Sequence, residues 1–531
     1  MRASTKILGL IVSLNLLASF AYGATIRGTV KGPDGTPFRG AFVQSKNIQT
    51  KITVSVLSDR LGRYRVDNLP AGEYRLQVRA VGFKSDPRSG VSLVAQQNAT
   101  YDFTLQKGVV SWSDISVYQA SRLFPQGRGR NAVFGTCFSC HGGFQSRLVS
   151  AGLDEAGWRD EVKRMRQVFS FFFTGFTDQN ADDAVSYLNT VFGRNSVLPS
   201  SPVELPAYKE LSRSFSDDAL KIVYVEYDLP RRAALPWGPA LDKNGTVWIP
   251  YYGTDNELAR LDPKSGEVQE FPLPSQGAAG AHSAITTPDG TVWFTEQGSD
   301  KLARWDPKTR EITEYQDEYV SEADGKAARS GNKFTVGIDS KGNLWTGGRP
   351  LSRFDPATNK FTHIDEGPNT YQVLIDRQDN VWFSENFKGG KIGKVDGKTG
   401  KITKYSPPSP AFSPHRFDMD SLGMLWADGR IDKIVRFDPK TETFKEYTLP
   451  GPAPSPYAVA IDRNDNFWYS SNEMDSIGRL EPKTGQVIDY PFPYSQISMK
   501  QFRLDSQGRI WWVSDSNNNV GYFYLSGGEN P

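Results

Sequence analysis

The chain has 531 residues, of which 38% are hydrophobic and 23% charged, with 49 glycines and 33 prolines. That length is several times an ordinary domain, and the turn-rich composition points to many short strands, against both wholesale disorder and a long-helix protein. Basic residues number 62 against 60 acidic, and two of the basic ones, Arg2 and Lys6, fall in a segment expected to be removed. The mature chain therefore has no overall charge with which to attract nucleic acid or an anionic lipid surface.

Residues 1–23 open with those two basic side chains, continue as an apolar run from Ile7 to Phe20, and end on the small residues Ala21 and Gly23. This order is that of a secretory signal cleaved near Gly23, which predicts export to the periplasm or beyond. An uncleaved anchor is the competing reading, but the run is short for a span and holds Asn15. No later stretch reaches membrane-spanning length.

Residues 24–108 alternate apolar and polar in short runs broken by turn dipeptides, the pattern of a small antiparallel β-sandwich. The strings PDGTPFRGAFV, LGRYRVDNLPAGEYRLQV and AVGF resemble a carboxypeptidase regulatory-like, transthyretin-like domain. The resemblance implies a non-catalytic module, and no His, Cys or acid pair clusters in it.

The chain has two cysteines, Cys137 and Cys140, and His141 follows them in GTCFSCHGG. C-x-x-C-H is the covalent attachment signature of haem c: two thiols add across the vinyl groups and the adjacent imidazole becomes the proximal iron ligand. A disulfide and half of a zinc site are the competing readings, the latter short of ligands because no second cysteine pair exists. Trp158, Val162, Met165 and Phe169 recur at helical spacing on one apolar face. Met165 is the candidate distal iron ligand, with plain core packing or an open sixth position as alternatives. A second helix is expected over about 180–192, capped by Asn or Asp, with Ala184, Leu188 and Val191 inward. Residues 109–200 resemble a cytochrome c domain. A Pro/Ser-rich linker, 201–217, is expected to follow.

From about 235 a unit with a turn, an apolar residue and a tryptophan recurs seven times, at Trp248, Trp293, Trp345, Trp382, Trp426, Trp468 and Trp511. Seven such units predict a β-propeller over 218–525, with the tryptophans packing between blades. Residues 221–230 read like a fourth strand with no blade in front of it and are expected to complete blade seven, which removes free sheet edges. Eleven residues before the tryptophans stand Trp237, His282, Phe334, Tyr371, His415, Tyr457 and Lys500. Three after them stand Tyr251, Glu296, Gly348, Glu385, Gly429, Ser471 and Ser514. Both sets are expected at one mouth of the central channel, an aromatic and polar composition suited to a small molecule. His363 falls on an outer strand and is expected at the surface.

These repeats, HSAITTPDGTVWFTE above all, resemble the virginiamycin B (streptogramin) lyase family. The resemblance implies a seven-bladed propeller with a bound Mg2+ and an acid/base histidine at this mouth, served by histidines of successive blades and two glutamates. The sequence departs from that set: His282 keeps Glu296 but is preceded by Trp237, and His415 has Tyr371 before it and Gly429 after its tryptophan. His282 with Glu296 is the candidate catalytic pair, a neutral imidazole held by a carboxylate; a solvated pair without a catalytic role is the alternative. A quinone cofactor docked on the tryptophans is a further, minor reading.

The sequence thus predicts a multidomain, mainly β protein: sandwich, small α-helical cytochrome c, and propeller. The leading functional expectation is one-electron transfer through haem c, with the propeller binding a small-molecule substrate or a redox partner protein. The alternatives are a lyase-like enzyme using a divalent metal, and a binding or scaffold propeller without chemistry.

Overall fold

The computed structural model describes residues 23–137, 145–169, 173, 175–231, 234–323, 326–329, 333–364 and 369–527. The expected signal segment lies outside the described residues, as do Cys140 and His141. No helix among the described residues is long and apolar enough to cross a membrane.

In the N-terminal unit, period-two alternation does the folding. Strands Arg63–Leu69 and Gly72–Arg79 bury Tyr64, Val66 and Leu69, and Tyr74, Leu76 and Val78, against Ile26, Val30 and Val43. The result is a sandwich, although the returning segments pair parallel with the first strand, Thr25 opposite Asn98 and Val30 opposite Phe103. These segments arrive from the opposite sheet and run alongside the first strand in its own direction, so the sandwich departs from the antiparallel expectation there.

The middle unit is helical: Val117–Leu123, Gln145–Ala151, Glu155–Val168 and Asp178–Phe192. The last begins two residues before the expected start because Thr177, not an Asn or Asp, caps it, its hydroxyl accepting from the Asn180 N–H at 3.1 Å. Ala184, Leu188 and Val191 are buried as the spacing requires. The segment expected as a linker instead coils into short 3-10 turns, Pro202–Glu204 and Pro206–Leu211. Its Leu205, Tyr208 and Leu211 pack on the helical core, since apolar side chains at that spacing gain more from burial than from solvation.

Seven four-stranded antiparallel blades follow in sequence order, six as separate sheets and the seventh within a larger one. The last comprises Met499–Leu504, Ile510–Ser514 and Asn519–Leu525, and is completed by Ile222–Asp228, with Val225 opposite Tyr522. The longest interval between tryptophans, Trp293 to Trp345, accommodates an extra hairpin, Val320–Ala323 with Lys326–Arg329. One feature was not legible in the sequence: the sandwich strand Thr53–Leu57 pairs with Ile222–Asp228, Val54 opposite Val225, so blade seven and half of the sandwich form one eight-stranded sheet. The outer edge of blade seven is thereby covered.

Glu226 is buried at that junction, accepting from Ser55 Oγ and Asn519 Nδ2, each at 3.2 Å. Burial pushes its carboxyl up to about 8, opposed by the Ser55 hydrogen bond. The folded protein then holds a proton that the unfolded chain releases at its ordinary, lower pKa. Stability from this group is full in acid and is lost as pH rises towards about 8. Glu226→Gln is therefore expected to raise the melting temperature at pH values above 8 and to leave it unchanged in mild acid, as thermal melts across that range would read.

Candidate functional site

The propeller mouth is built by β-bulges. In blade two the register passes from Ala281 opposite Glu296 to Ala284 opposite Phe294, so His282 and Ser283 together face Thr295. The same shift occurs in blades four, six and seven, at Tyr371–Gln372, Tyr457–Ala458 and Lys500–Gln501. A bulge frees a backbone N–H and re-aims side chains. The residue two after the tryptophan takes up that N–H: Thr295 Oγ1 from Ser283 at 3.2 Å, Ser384 Oγ from Gln372 at 3.0 Å, Ser470 Oγ from Ala458 at 3.0 Å. In blade five Asp428 fills the same place, accepting from the Arg416 N–H at 2.9 Å.

The seven side chains eleven before each tryptophan consequently form a closed ring. Ring-centroid distances run Trp237–His282 5.3 Å, His282–Phe334 5.7 Å, Phe334–Tyr371 4.7 Å, Tyr371–His415 4.0 Å and His415–Tyr457 4.4 Å. Lys500 Nζ closes it, 5.3 Å from the Tyr457 ring and 4.4 Å from the Trp237 ring, and is paired with Asp515 at 3.1 Å. Tyr371 Oη lies 3.1 Å from His282 Nε2 and 3.0 Å from Tyr457 Oη, a hydrogen-bonded run across the mouth. Burial, then the charge of Arg416, holds His282 well below the usual imidazole range; burial, then Arg430, does the same for His415. Both rings are neutral at pH 7, and His282 Nε2 is placed to exchange a proton with the Tyr371 hydroxyl.

The expected pair of His282 and Glu296 does not form. Glu296 stands opposite Ala281, one position off His282, and its Oε2 accepts from Ser275 Oγ at 2.8 Å and Ser299 Oγ at 2.5 Å. Burial pushes it up to about 7, against those two hydrogen bonds. Glu385 likewise turns from the ring, to Lys404 at 2.9 Å and the Lys391 N–H at 3.0 Å. His363 is not simply exposed: its Nε2 lies 2.8 Å from Asp317, which is buried and also holds Lys333. Among the described residues no three His, Cys, Asp or Glu side chains gather as a metal site, so the divalent ion implied by the lyase resemblance has no ready cluster at this mouth.

Beside the ring runs an apolar cleft of about 70 Å3, lined on one side by Cys137, Trp158, Val162, Met165, Phe169 and Leu188 and on the other by Leu235, Trp237 and Tyr252. Cys137 and Met165 both line this cleft, and the propeller forms its far wall. Trp237 belongs to both sites: it stacks on Tyr252 at 4.1 Å and contacts His282 in the ring.

Sequence reasoning missed Arg416, the large buried cation beneath the ring. The signal was available. Ten before the tryptophans stand Gly238, Ser283, Thr335, Gln372, Arg416, Ala458 and Gln501, in which the arginine alone is charged.

Comparison with known proteins follows the same division. Residues 25–106 match the carboxypeptidase regulatory-like domain, and residues 357–529 match the virginiamycin B lyase family; neither match spans the C-x-x-C-H region. A search of curated proteins gave no match. Among solved structures, a streptogramin B lyase is 22% identical with a TM-score of 0.52, over 59% of this chain and all of that one. A catalytically inactive virginiamycin B lyase from Staphylococcus aureus with quinupristin is 22% identical at a TM-score of 0.51, over 57% of this chain and 99% of that one. The chain therefore carries an N-terminal carboxypeptidase regulatory-like sandwich and a virginiamycin B lyase-like propeller.

Proposed function

We propose that the protein is an exported c-type cytochrome in which the propeller mouth binds the electron donor or acceptor, a small molecule or a partner protein, against the wall of the haem cleft. The observation that carries this reading is Trp237, which lines the cleft of Cys137 and Met165 and at the same time closes the ring around the propeller axis. Cys137 and Cys140 would hold the porphyrin, His141 would be the proximal ligand and Met165 the distal one; the group would supply one-electron transfer. The chain's own part is positioning. The aromatic pair Trp237 and Tyr252 separates the cleft from the mouth while keeping water from both, and neutral His282 can take a proton through Tyr371 from a bound molecule. A proton and an electron would then leave that molecule in different directions. The sandwich, joined to blade seven by a continuous sheet, acts as a structural module. Export by the N-terminal signal supplies the compartment in which haem c is attached.

The test is the visible spectrum of the exported, mature protein, oxidised and then reduced with dithionite, followed by exposure to a panel of alcohols, amines, lactones and sugars. A haem c spectrum that one compound class reduces, with the response diminished in Trp237→Ala while the haem is retained, is the expected result. Absence of any haem spectrum would overturn the reading.

A further inference from the structure

Below the ring the propeller axis holds a second chamber, of about 140 Å3, whose polar lining is Thr335, Gln372, Arg416, Asp418, Gln501 and Arg503. These side chains stand ten or eight residues before their tryptophans, the alternate positions of inner strands that face the axis. Arg416 is 1% exposed. Its Nη2 lies 3.4 Å from Tyr371 Oη, and its guanidinium carbon is 5.2 Å and 5.7 Å from the Tyr371 and Tyr457 rings. No acceptor among the described residues lies within hydrogen-bond reach of Nε or Nη1.

The carboxylates nearby are engaged elsewhere. Asp428 accepts from the backbone N–H groups of Arg416 at 2.9 Å and Arg430 at 3.2 Å. Burial pushes the Asp418 carboxyl up, against the N–H groups of Ile461 and Met419 from which it accepts, both at 2.9 Å. Asp515 is paired with Lys500. Two arginines against one aspartate, itself biased towards its neutral form by burial, leave the chamber an excess of positive charge. A buried guanidinium with half its donors unmet is costly, and its planar fork matches a carboxylate in two parallel hydrogen bonds.

We propose that this chamber is a carboxylate-binding site, in which Arg416 receives the carboxylate of a small monocarboxylic acid that enters from the propeller mouth, the remainder of the acid lying under Tyr371, Tyr457 and His282. The aromatic ring above accepts an apolar or aromatic body. The site needs no haem, so its presence or absence is separable from the redox reading.

Calorimetric titration of the full mature protein tests this, with acetate and benzoate as probes, benzamide as the neutral isostere, and inorganic phosphate and chloride as competing anions. Saturable binding of benzoate in one copy per chain, none of benzamide, and a loss of about tenfold or more in Arg416→Gln are expected. Arg416→Lys should fall between, since it keeps the charge and loses the fork. Without ligand, Arg416→Gln should melt no lower than the wild type, because it removes an unmet charge; a purely structural arginine would give a lower melting temperature. The proposal is overturned if wild type shows no saturable carboxylate binding, if both Arg416 variants bind as wild type does, or if phosphate or chloride displaces benzoate at equal concentration, which would make this an inorganic anion site.

Discussion

In protein exported by a host that matures c-type cytochromes, Cys137→Ala is expected to lower covalently attached haem by about tenfold or more, measured as pyridine haemochrome after acid extraction. On the proposed reading two thioethers would share the attachment, and Cys137 is the one whose surroundings are described: it is half-buried at the end of the turn Val133–Cys137 and lines the apolar cleft together with Met165. Met165→Ala should behave differently, keeping the covalent haem and changing the spectrum of the oxidised form, because on the proposed reading it would remove an axial ligand and leave the tether. The contrast separates the readings. If Cys137 were part of a disulfide or a zinc site, neither substitution would alter visible absorption, and loss of one half-buried thiol would register only as a modest shift in stability. Unchanged covalent haem in Cys137→Ala would remove the attachment role from this motif.

The sequence carried most of the propeller because its signal is periodic: each tryptophan sits at a fixed place in a blade, and counting eleven residues back found the ring, now seen closed from Trp237 round to Lys500. Ring closure by Ile222–Asp228 was legible for the same reason, as a fourth strand lacking its own blade. What failed was local. Counting back to the same mouth placed His282 and Glu296 at one end of a hairpin, but a one-residue offset in strand register sends two side chains in opposite directions, and the bulge at His282–Ser283 moved the histidine to the axis while Glu296 stayed with Ser275 and Ser299. In blades two, four and six the bulge is accompanied by a hydroxyl two after the tryptophan, a cue visible in Thr295, Ser384 and Ser470 once its role is known. The shared sheet between Thr53–Leu57 and Ile222–Asp228 left no trace at all, because an edge strand carries its partner preference in backbone groups common to every residue.

The largest loss of stability is expected from Trp426→Ala, about 3–5 kcal/mol in chemical denaturation, the cost of emptying a fully buried aromatic site. Trp426 is 0% exposed and packs 5.3 Å from the Tyr447 ring of its own blade and 5.8 Å from the Phe467 ring of the next, in a cluster that runs on to Val459 and Tyr469. Its indole N–H donates to Asp420 Oδ2 at 2.8 Å, while Asp420 Oδ1 accepts from the N–H groups of Leu422 at 3.0 Å and Met424 at 2.9 Å. One carboxylate thus ties the turn to the tryptophan, and the same link recurs in Asp376 to Trp382, Asp462 to Trp468 and Asp505 to Trp511. Asp420→Ala should therefore cost less than the tryptophan, about 1–3 kcal/mol, since it leaves the indole and two backbone donors unmet without opening a cavity of that size. Trp426→Phe should cost least, as it keeps most of the buried apolar area and frees one carboxylate oxygen that lies near the turn. The order Trp426→Ala, then Asp420→Ala, then Trp426→Phe would make packing between blades, rather than anchoring of the turn, the larger source of the ring's stability. A reversed order, with Asp420→Ala the most damaging, would show that the turn and not the blade interface holds the ring, and that the recurrent tryptophans follow from the turn.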